Sequence, residues 1–172
     1  SLSLYYNYSF ISNRIGLKFQ QDLLKKFKYN IGFSVQSSQI SGYSIDKSIR
    51  TTYPNVNLIP TTGIKWKFNE ESDLTFDYLG KNNQPSFYQI QPVLDNSNTQ
   101  NLIQGNPELE PEFSNRIMAK YRKSIVKRGQ YFETSLAYNF VSNKIVSNRT
   151  IFSNSTIQKT TFMNTPGYYD IK

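Results

Sequence analysis

A side-chain period of two constrains this chain more than any other feature. In Phe27-Lys28-Tyr29-Asn30-Ile31-Gly32-Phe33-Ser34-Val35-Gln36 every odd position is apolar or aromatic, and every even one is polar or glycine. Successive side chains of a strand point to opposite faces, so the segment reads as a strand with two unlike sides. The same pattern sets Ile15, Leu17 and Phe19 against Lys18 and Gln20, and Ile64, Trp66 and Phe68 against Lys65 and Lys67. It returns in Phe132, Thr134, Leu136, Tyr138 and Phe140 against Glu133, Ser135 and Asn139. Helical spacing is sustained nowhere, and β-branched and aromatic types fill the runs. The predicted class is all-β and antiparallel. Periodicity leaves the setting open, because a half-buried sheet of a soluble sandwich alternates as cleanly as a membrane-spanning strand.

The connections carry a second rhythm. Leu23-Leu24-Lys25, Asn69-Glu70-Glu71-Ser72 and Val126-Lys127-Arg128-Gly129 are short, whereas 38 to 52, 82 to 111 and 146 to 154 are longer. Short and long links therefore sort to opposite ends of the strands, as in outer-membrane barrels. By that parity residues 1 to 13 fall on the long-loop side, despite their own alternation of Leu2, Leu4, Tyr6, Tyr8 and Phe10. A tilted strand crosses the hydrocarbon with about 9–11 residues, and the segment at 26 to 37 is long enough. Tyr5, Tyr6, Tyr8, Tyr78, Phe87, Tyr88, Tyr131, Phe132, Tyr168 and Tyr169 lie near strand ends, where amphipathic rings would form interfacial girdles.

Composition removes most chemistry. The chain has no His and no Cys, which excludes Ser-His-Asp and Cys-His catalysis, His or Cys zinc sites, haem ligation and disulfides. Lys and Arg number 20 against 12 Asp and Glu, a net charge of +8 that suits an anionic partner such as lipid headgroups or nucleic acid. No apolar run is long enough for a transmembrane helix, no charged-then-apolar start marks a signal peptide, and the start at Ser1 without Met suggests a fragment or a processed product.

Candidate sites compete with plain readings. Asp95-Asn96-Ser97-Asn98 begins like a calcium loop, but the glycine and glutamate that an EF-hand needs are replaced by Gln100 and Asn106, so it reads as a polar loop with Asx turns. Asp95, Glu108 and Asp77 could supply paired carboxylates, yet no spacing selects a pair. Lys120, Arg122, Lys123, Lys127 and Arg128 beside Tyr121 could imitate a nucleic-acid patch. They read better as cations that line a lumen or touch headgroups. Asn7-Tyr8-Ser9, Asn148-Arg149-Thr150 and Asn154-Ser155-Thr156 match the glycosylation triplet and carry no assignment.

The stretch Gly105-Asn106-Pro107-Glu108-Leu109-Glu110-Pro111-Glu112 is stiff and acidic. Pro107 and Pro111 fix φ and push Asn106 and Glu110 towards extended backbone, so a long loop is delivered in a set direction into the strand at 113. Gly105 relieves the turn, and regular pairing is expected only after Glu112. A ligand or cation contact through Glu108, Glu110 and Glu112 is the second reading.

These residues resemble the GNP-x-L-x-PE signature of TonB-dependent outer-membrane receptor barrels. Gln84-Pro85-Ser86-Phe87 to Gln91-Pro92-Val93-Leu94-Asp95-Asn96 is similar to the loop that precedes this signature in outer-membrane β-barrel proteins of the Bacteroidetes. Asn57-Leu58-Ile59-Pro60 is similar to that family's strand lead-in. The three motifs stand in the family's order, and the likeness covers roughly residues 14 to 170. The chain departs from the pattern at Gln84, where an arginine is usual, and at Glu110, where a basic residue is usual.

The resemblance implies a section of the C-terminal half of a receptor barrel, spanning 1 to 172, with about seven strands, an eighth beginning near Tyr168, long outer loops and short periplasmic turns. It implies transport without catalysis, cofactor or metal, in the outer membrane of a Gram-negative bacterium. Its partners would be outer-membrane lipid, the plug and remaining strands, TonB through a part before this chain, and a surface lipoprotein, with no nucleic acid. Ligand capture would fall to loop 82 to 111, through Phe87, Tyr88, Gln89, Gln91 and Asp95. Gly105, Asn106, Pro107, Leu109, Pro111 and Glu112 would be its structural motif. The competing expectations are a soluble β-sandwich binding module and a small complete barrel with a structural or adhesive role.

Overall fold

The computed structural model describes residues 6–45, 48–152 and 156–171. Leu2, Leu4, Tyr5, Asn154 and Ser155 fall outside these, as does the side chain of Tyr6. In chain order come β1 (Tyr6–Leu23), β2 (Phe27–Ser44), β3 (Ile49–Lys67), β4 (Ser72–Asn83), the helical turn α1 (Phe87–Ile90), β5 (Leu94–Asp95) and β6 (Asn101–Gln104). Then follow β7 (Glu112–Ile125), β8 (Gln130–Ser142), β9 (Lys144–Ile151), β10 (Gln158–Thr165) and β11 (Tyr168–Ile171).

Two sheets result. The wall has seven strands in the order β1-β2-β3-β4-β7-β8-β11, all antiparallel and not closed on itself. A smaller sheet, β5-β6-β10-β9, contains one parallel pair between β6 and β10.

The wall obeys the predicted parity. Ile15, Leu17 and Phe19 of β1 stand opposite Val35, Phe33 and Ile31 of β2, and these continue onto Leu58, Pro60 and Thr62 of β3. That face is bare: Leu17 is 85% exposed and Ile15 80%. Lys28, Asn30, Ser34 and Gln36 share the other face with Arg14 and Lys18. Arg14 Nε donates to Ser34 Oγ at 2.8 Å across this inner side.

The second layer covers the inner face, not the apolar one. Ile40 of β2 packs with Phe87, Ile90, Leu109 and Phe162 in the buried cluster, joined by Tyr53, Tyr88, Ile103 and Ile145. A soluble sandwich would bury its apolar faces against each other. Here the large apolar side chains of the wall stay outside while the small sheet and α1 sit over the inner face.

All three short turns form where expected. Lys26 N donates to Leu23 O at 3.2 Å across the first, with Leu24 and Lys25 both at positive φ, 50° and 57°. In the second, Asn69 Oδ1 accepts from Glu71 N and Ser72 Oγ, each at 2.9 Å. A 3-10 turn over Val126–Arg128 makes the third, closed by Gly129 at φ 60°.

The long links differ from expectation. Residues 38 to 44 and 49 to 52 are strand and not loop: β2 and β3 remain paired up to Ser44↔Ile49. Residues 6 to 13 belong to β1, paired with β2 throughout. With 18, 18 and 19 residues, β1, β2 and β3 greatly exceed a membrane crossing. Residues 146 to 151 are strand, since β9 and β10 leave the wall to build the small sheet, and β11 becomes the wall's seventh strand.

Several proposed girdle rings also move. Phe87 and Tyr88 belong to the buried cluster and its rim. Tyr8, Tyr131 and Tyr168 share the inner parity, which leaves Tyr78, Phe132 and Tyr169 on the apolar side. The belt on the short-turn end is made by other rings. Phe19 and Phe27 flank Tyr29 at 6.1 and 6.0 Å, while Trp66, Phe68, Tyr121 and Phe132 follow each other at 4.9, 6.4 and 6.4 Å.

Candidate functional site: the aromatic cleft under the long loop

Segment 84 to 111 is held by its own polar atoms. Ser86 N and Ser86 Oγ both donate to Gln89 Oε1, at 2.9 and 3.1 Å, which caps the single turn of α1. Turning there aims Phe87 and Ile90 down at the wall, where they are 7% and 0% exposed. The Phe87 ring presses against Gly42 of β2, and a Cβ at position 42 would come within 1.9 Å of that ring. Only glycine leaves that space.

The GNPELEPE stretch is the clasp. Gly105 passes so close to Gln91 that a Cβ would meet the Gln91 carbonyl oxygen at 2.3 Å. Asn106 N donates to Gln89 O at 2.7 Å, and Asn106 Nδ2 to Phe162 O at 3.2 Å. Leu109 is 1% exposed in the core, and the Tyr53 hydroxyl donates to its carbonyl oxygen. Glu110 Oε2 accepts from Asn143 Nδ2 at 2.7 Å. Glu112 Oε1 accepts from Ile145 N at 2.9 Å and pairs with Lys144 at 2.9 Å. Regular pairing opens at Glu112 itself, opposite Asn83, so the lead-in reading of the prolines holds to within one residue. The glutamates at 110 and 112 are engaged within the fold.

Between this loop and the wall lies a cleft of about 430 Å³. Tyr8, Phe10 and Ile40 rise from β1 and β2 to form one side, and Gln84, Phe87 and Tyr88 form the other. Tyr8 and Phe87 are parallel, 5.9 Å apart, and Tyr88 meets Phe162 edge-on at 5.6 Å. Gln84 Nε2 donates to Ser38 Oγ at 2.7 Å and ties the loop's first residues to β2. Among the described residues no charged side chain lines the cleft. Its chemistry is that of aromatic faces with amide and hydroxyl groups, which suits a ring-bearing solute.

Of the five loop residues singled out in the sequence, Phe87 and Tyr88 line this cleft. Gln89 is used as the α1 cap, Gln91 is 5% exposed behind it, and Asp95 Oδ1 accepts from Ser97 N and Oγ in an Asx turn, at 2.9 and 2.6 Å. Asp77, Asp95 and Glu108 lie on separate elements, in β4, β5 and the clasp. Tyr8, Phe10 and Ile40 were not expected. They break the wall's parity by putting apolar side chains on its polar face, and that is the signal that could have found them.

A polar network occupies the inner face nearer the short turns. Arg122 Nη2 reaches Asp73 Oδ1 and Oδ2 at 3.0 and 3.1 Å, Lys120 pairs with Glu133 at 3.4 Å, and Tyr131 donates to Glu133 at 2.5 Å. Of the suspected basic patch, Lys120 and Arg122 are thereby satisfied by acids across the ladder, whereas Lys127 and Arg128 sit on the third turn.

An outer membrane protein beta-barrel family model matches residues 2–171. The chain belongs to that family. Its apolar wall face is therefore the lipid side of an outer-membrane β-barrel, and the polar face looks into the lumen. The siderophore receptor PirA from Pseudomonas aeruginosa superposes with a TM-score of 0.61 at 12% identity, over 94% of this chain and 38% of that one. A mutant ferric enterobactin receptor from the same organism, in complex with enterobactin, gives 0.56 at 11% over 95% and 32%. At such identities the likeness concerns the fold, and this barrel-family chain spans only about a third of either receptor's length. Among curated proteins no sequence match is found.

Proposed function

We propose that this chain is a wall section of a TonB-dependent receptor that imports a nutrient ligand through the outer membrane without catalysis. The observation that carries the reading is the placement of the second layer. A lipid-facing sheet whose lumen side is capped by its own long loop, around an uncharged aromatic cleft, is a scaffold that presents a binding surface inside a pore.

The structural neighbours named for siderophores supply the transport precedent. The order of the QPSF, GNP and N-L-x-P motifs supports placement among Bacteroidetes barrels. Plug, TonB contact and any surface lipoprotein belong to the remainder of such a receptor. Tyr8, Phe10, Phe87 and Tyr88 are the proposed ligand-contacting side chains, with Gln89, Gln91 and Asp95 shaping the loop behind them.

The test uses the full-length receptor in its membrane. Tyr8→Ala with Tyr88→Ala should weaken binding of the transported ligand at least tenfold while leaving barrel assembly intact by heat-modifiable gel mobility. Unchanged affinity in a correctly assembled variant defeats the cleft assignment.

A further inference from the structure

The wall rises well past the lipid it must cross. On the lipid-facing parity of β2 the run Phe27, Tyr29, Ile31, Phe33 and Val35 ends at Ser37, and Gln39, Ser41 and Tyr43 follow. From Phe27 to Val35, at about 3.4 Å per residue and a tilt near 40°, the run is roughly 20 Å tall, close to the apolar band of about 25 Å in outer-membrane barrels. Pairing does not stop there. The rows Ile11–Gln39–Pro54, Ser9–Ser41–Thr52 and Asn7–Tyr43–Arg50 carry the same face of β1, β2 and β3 onward in unbroken register. By the same geometry the last two rows stand roughly 15–20 Å beyond Val35, on the long-loop side that faces the exterior.

Those rows hold a particular set of groups. A hollow of about 440 Å³ opens on them, lined by Asn7, Ser9, Ser41, Tyr43, Arg50 and Thr52, among others. Gln39 Nε2 donates to Ser41 Oγ at 2.9 Å beside it. Among the described residues Arg50 is its one charged side chain and has no ion-pair partner. A face that met only water would mix charges of both signs, and a protein interface would centre on apolar groups. Here amides, hydroxyls, one phenol and one guanidinium are gathered without an acid. Such a set donates to and accepts from sugar hydroxyls, and the guanidinium fork matches a phosphate.

Continuity with the lipid face decides what stands at that height. Phospholipid headgroups add only about 5–8 Å to each side of the hydrocarbon, so they end below Ser41 and Arg50. The exterior leaflet of a Gram-negative outer membrane is glycolipid, whose phosphorylated sugars reach further. We infer that the hollow seats a phosphorylated saccharide of this glycolipid, with Arg50 on the phosphate, Tyr43 against a sugar ring, and the amides and hydroxyls on the sugar hydroxyls. The site rests on the outer-membrane placement of the wall. It is independent of the cleft, which opens on the opposite face, and of whatever the receptor imports.

The experiment uses the full-length receptor containing this chain, purified in mild detergent and titrated with lipopolysaccharide of the parent bacterium, with binding read by surface plasmon resonance. Intact lipopolysaccharide should bind more tightly than the same material after dephosphorylation, and excess phosphatidylglycerol should not displace it. Arg50→Gln should lower affinity about tenfold, the worth of one charge-assisted contact, and Arg50→Lys should recover part of the loss. Ser41→Ala with Thr52→Val should weaken binding of both forms alike. Arg128→Gln, at the opposite end of the wall, should change nothing, and Arg50→Gln should keep heat-modifiable mobility and the affinity for the transported ligand. Equal binding of the two lipopolysaccharide forms, displacement by phosphatidylglycerol, or an Arg50→Gln receptor that binds like the parent would each overturn the assignment.

Discussion

Asn164 and Glu110 exchange a matched pair of hydrogen bonds across the junction of the two sheets. Glu110 N donates to Asn164 Oδ1 at 2.8 Å, and Asn164 Nδ2 donates back to Glu110 O at 2.9 Å. The amide imitates a strand's backbone and pairs with a residue that Pro111 keeps out of any regular ladder. Asn164 Nδ2 also donates to Asn143 O at 2.9 Å, so one side chain joins the clasp, the β8–β9 corner and β10.

Removing that side chain should loosen the cap before the wall. Asn164→Ala should cost roughly 1–3 kcal/mol, and Asn164→Asp no less, because the carboxylate loses both donations and brings charge beside Glu110. Limited proteolysis in detergent should then cut within 84 to 111 while the barrel core stays protected. An unchanged cleavage pattern would contradict the role given to the clasp.

Gly42 and Phe87 give a second, pairwise prediction. Gly42→Ala forces the Phe87 ring away and should destabilise the receptor by about 1–3 kcal/mol. Phe87→Ala empties part of the cluster and should cost about 3–5 kcal/mol by itself. Combined, the two should cost clearly less than their sum, since the clash disappears with the ring. Thermal unfolding of the four members of the cycle measures the coupling.

The wall was legible in the sequence because lipid and lumen impose opposite demands on alternate residues, and Phe27 to Gln36 obey them without exception. The small sheet was not, for a related reason. Above Ser12 in β1 and Val35 in β2 the strands stay paired but the demand reverses, so apolar residues shift to the inner parity at Phe10, Tyr8 and Ile40. Without coordinates that reversal looks like the end of a strand, and residues 38 to 52 looked like a loop. β9 and β10 carry ordinary strand sequence, and nothing in it tells which sheet they join. The clasp was readable as a stiff lead-in from its prolines. Its partners Asn143, Asn164 and Tyr53 were invisible, because each lies more than thirty residues away.

The first turn supplies a third prediction. Leu24→Asn with Lys25→Gly removes the left-handed strain and should stabilise the hairpin by roughly 1–2 kcal/mol in lipid-free micelles. Thermal unfolding reads the gain in midpoint, and no gain would mean that the turn costs the chain nothing.

The division of the wall into lipid and lumen faces is open to a direct comparison at neighbouring positions. Leu17 stands opposite Phe33 on the apolar side, and Lys18 beside it opposite Gly32 on the other. Six residues separate Leu17 from the end of β1 at Leu23. At about 3.4 Å per residue and a tilt near 40° this places Leu17 roughly 15 Å from the turn, close to the bilayer midplane. An arginine there should cost about 2–4 kcal/mol on insertion, because its charge must remain in hydrocarbon or drag water to it. Gln20→Arg, on the lumen parity, should change insertion by less than about 1 kcal/mol. Folding of the two receptor variants into vesicles from denaturant reads the difference. Equal penalties at both positions would mean that the two faces see the same solvent, which no barrel wall allows.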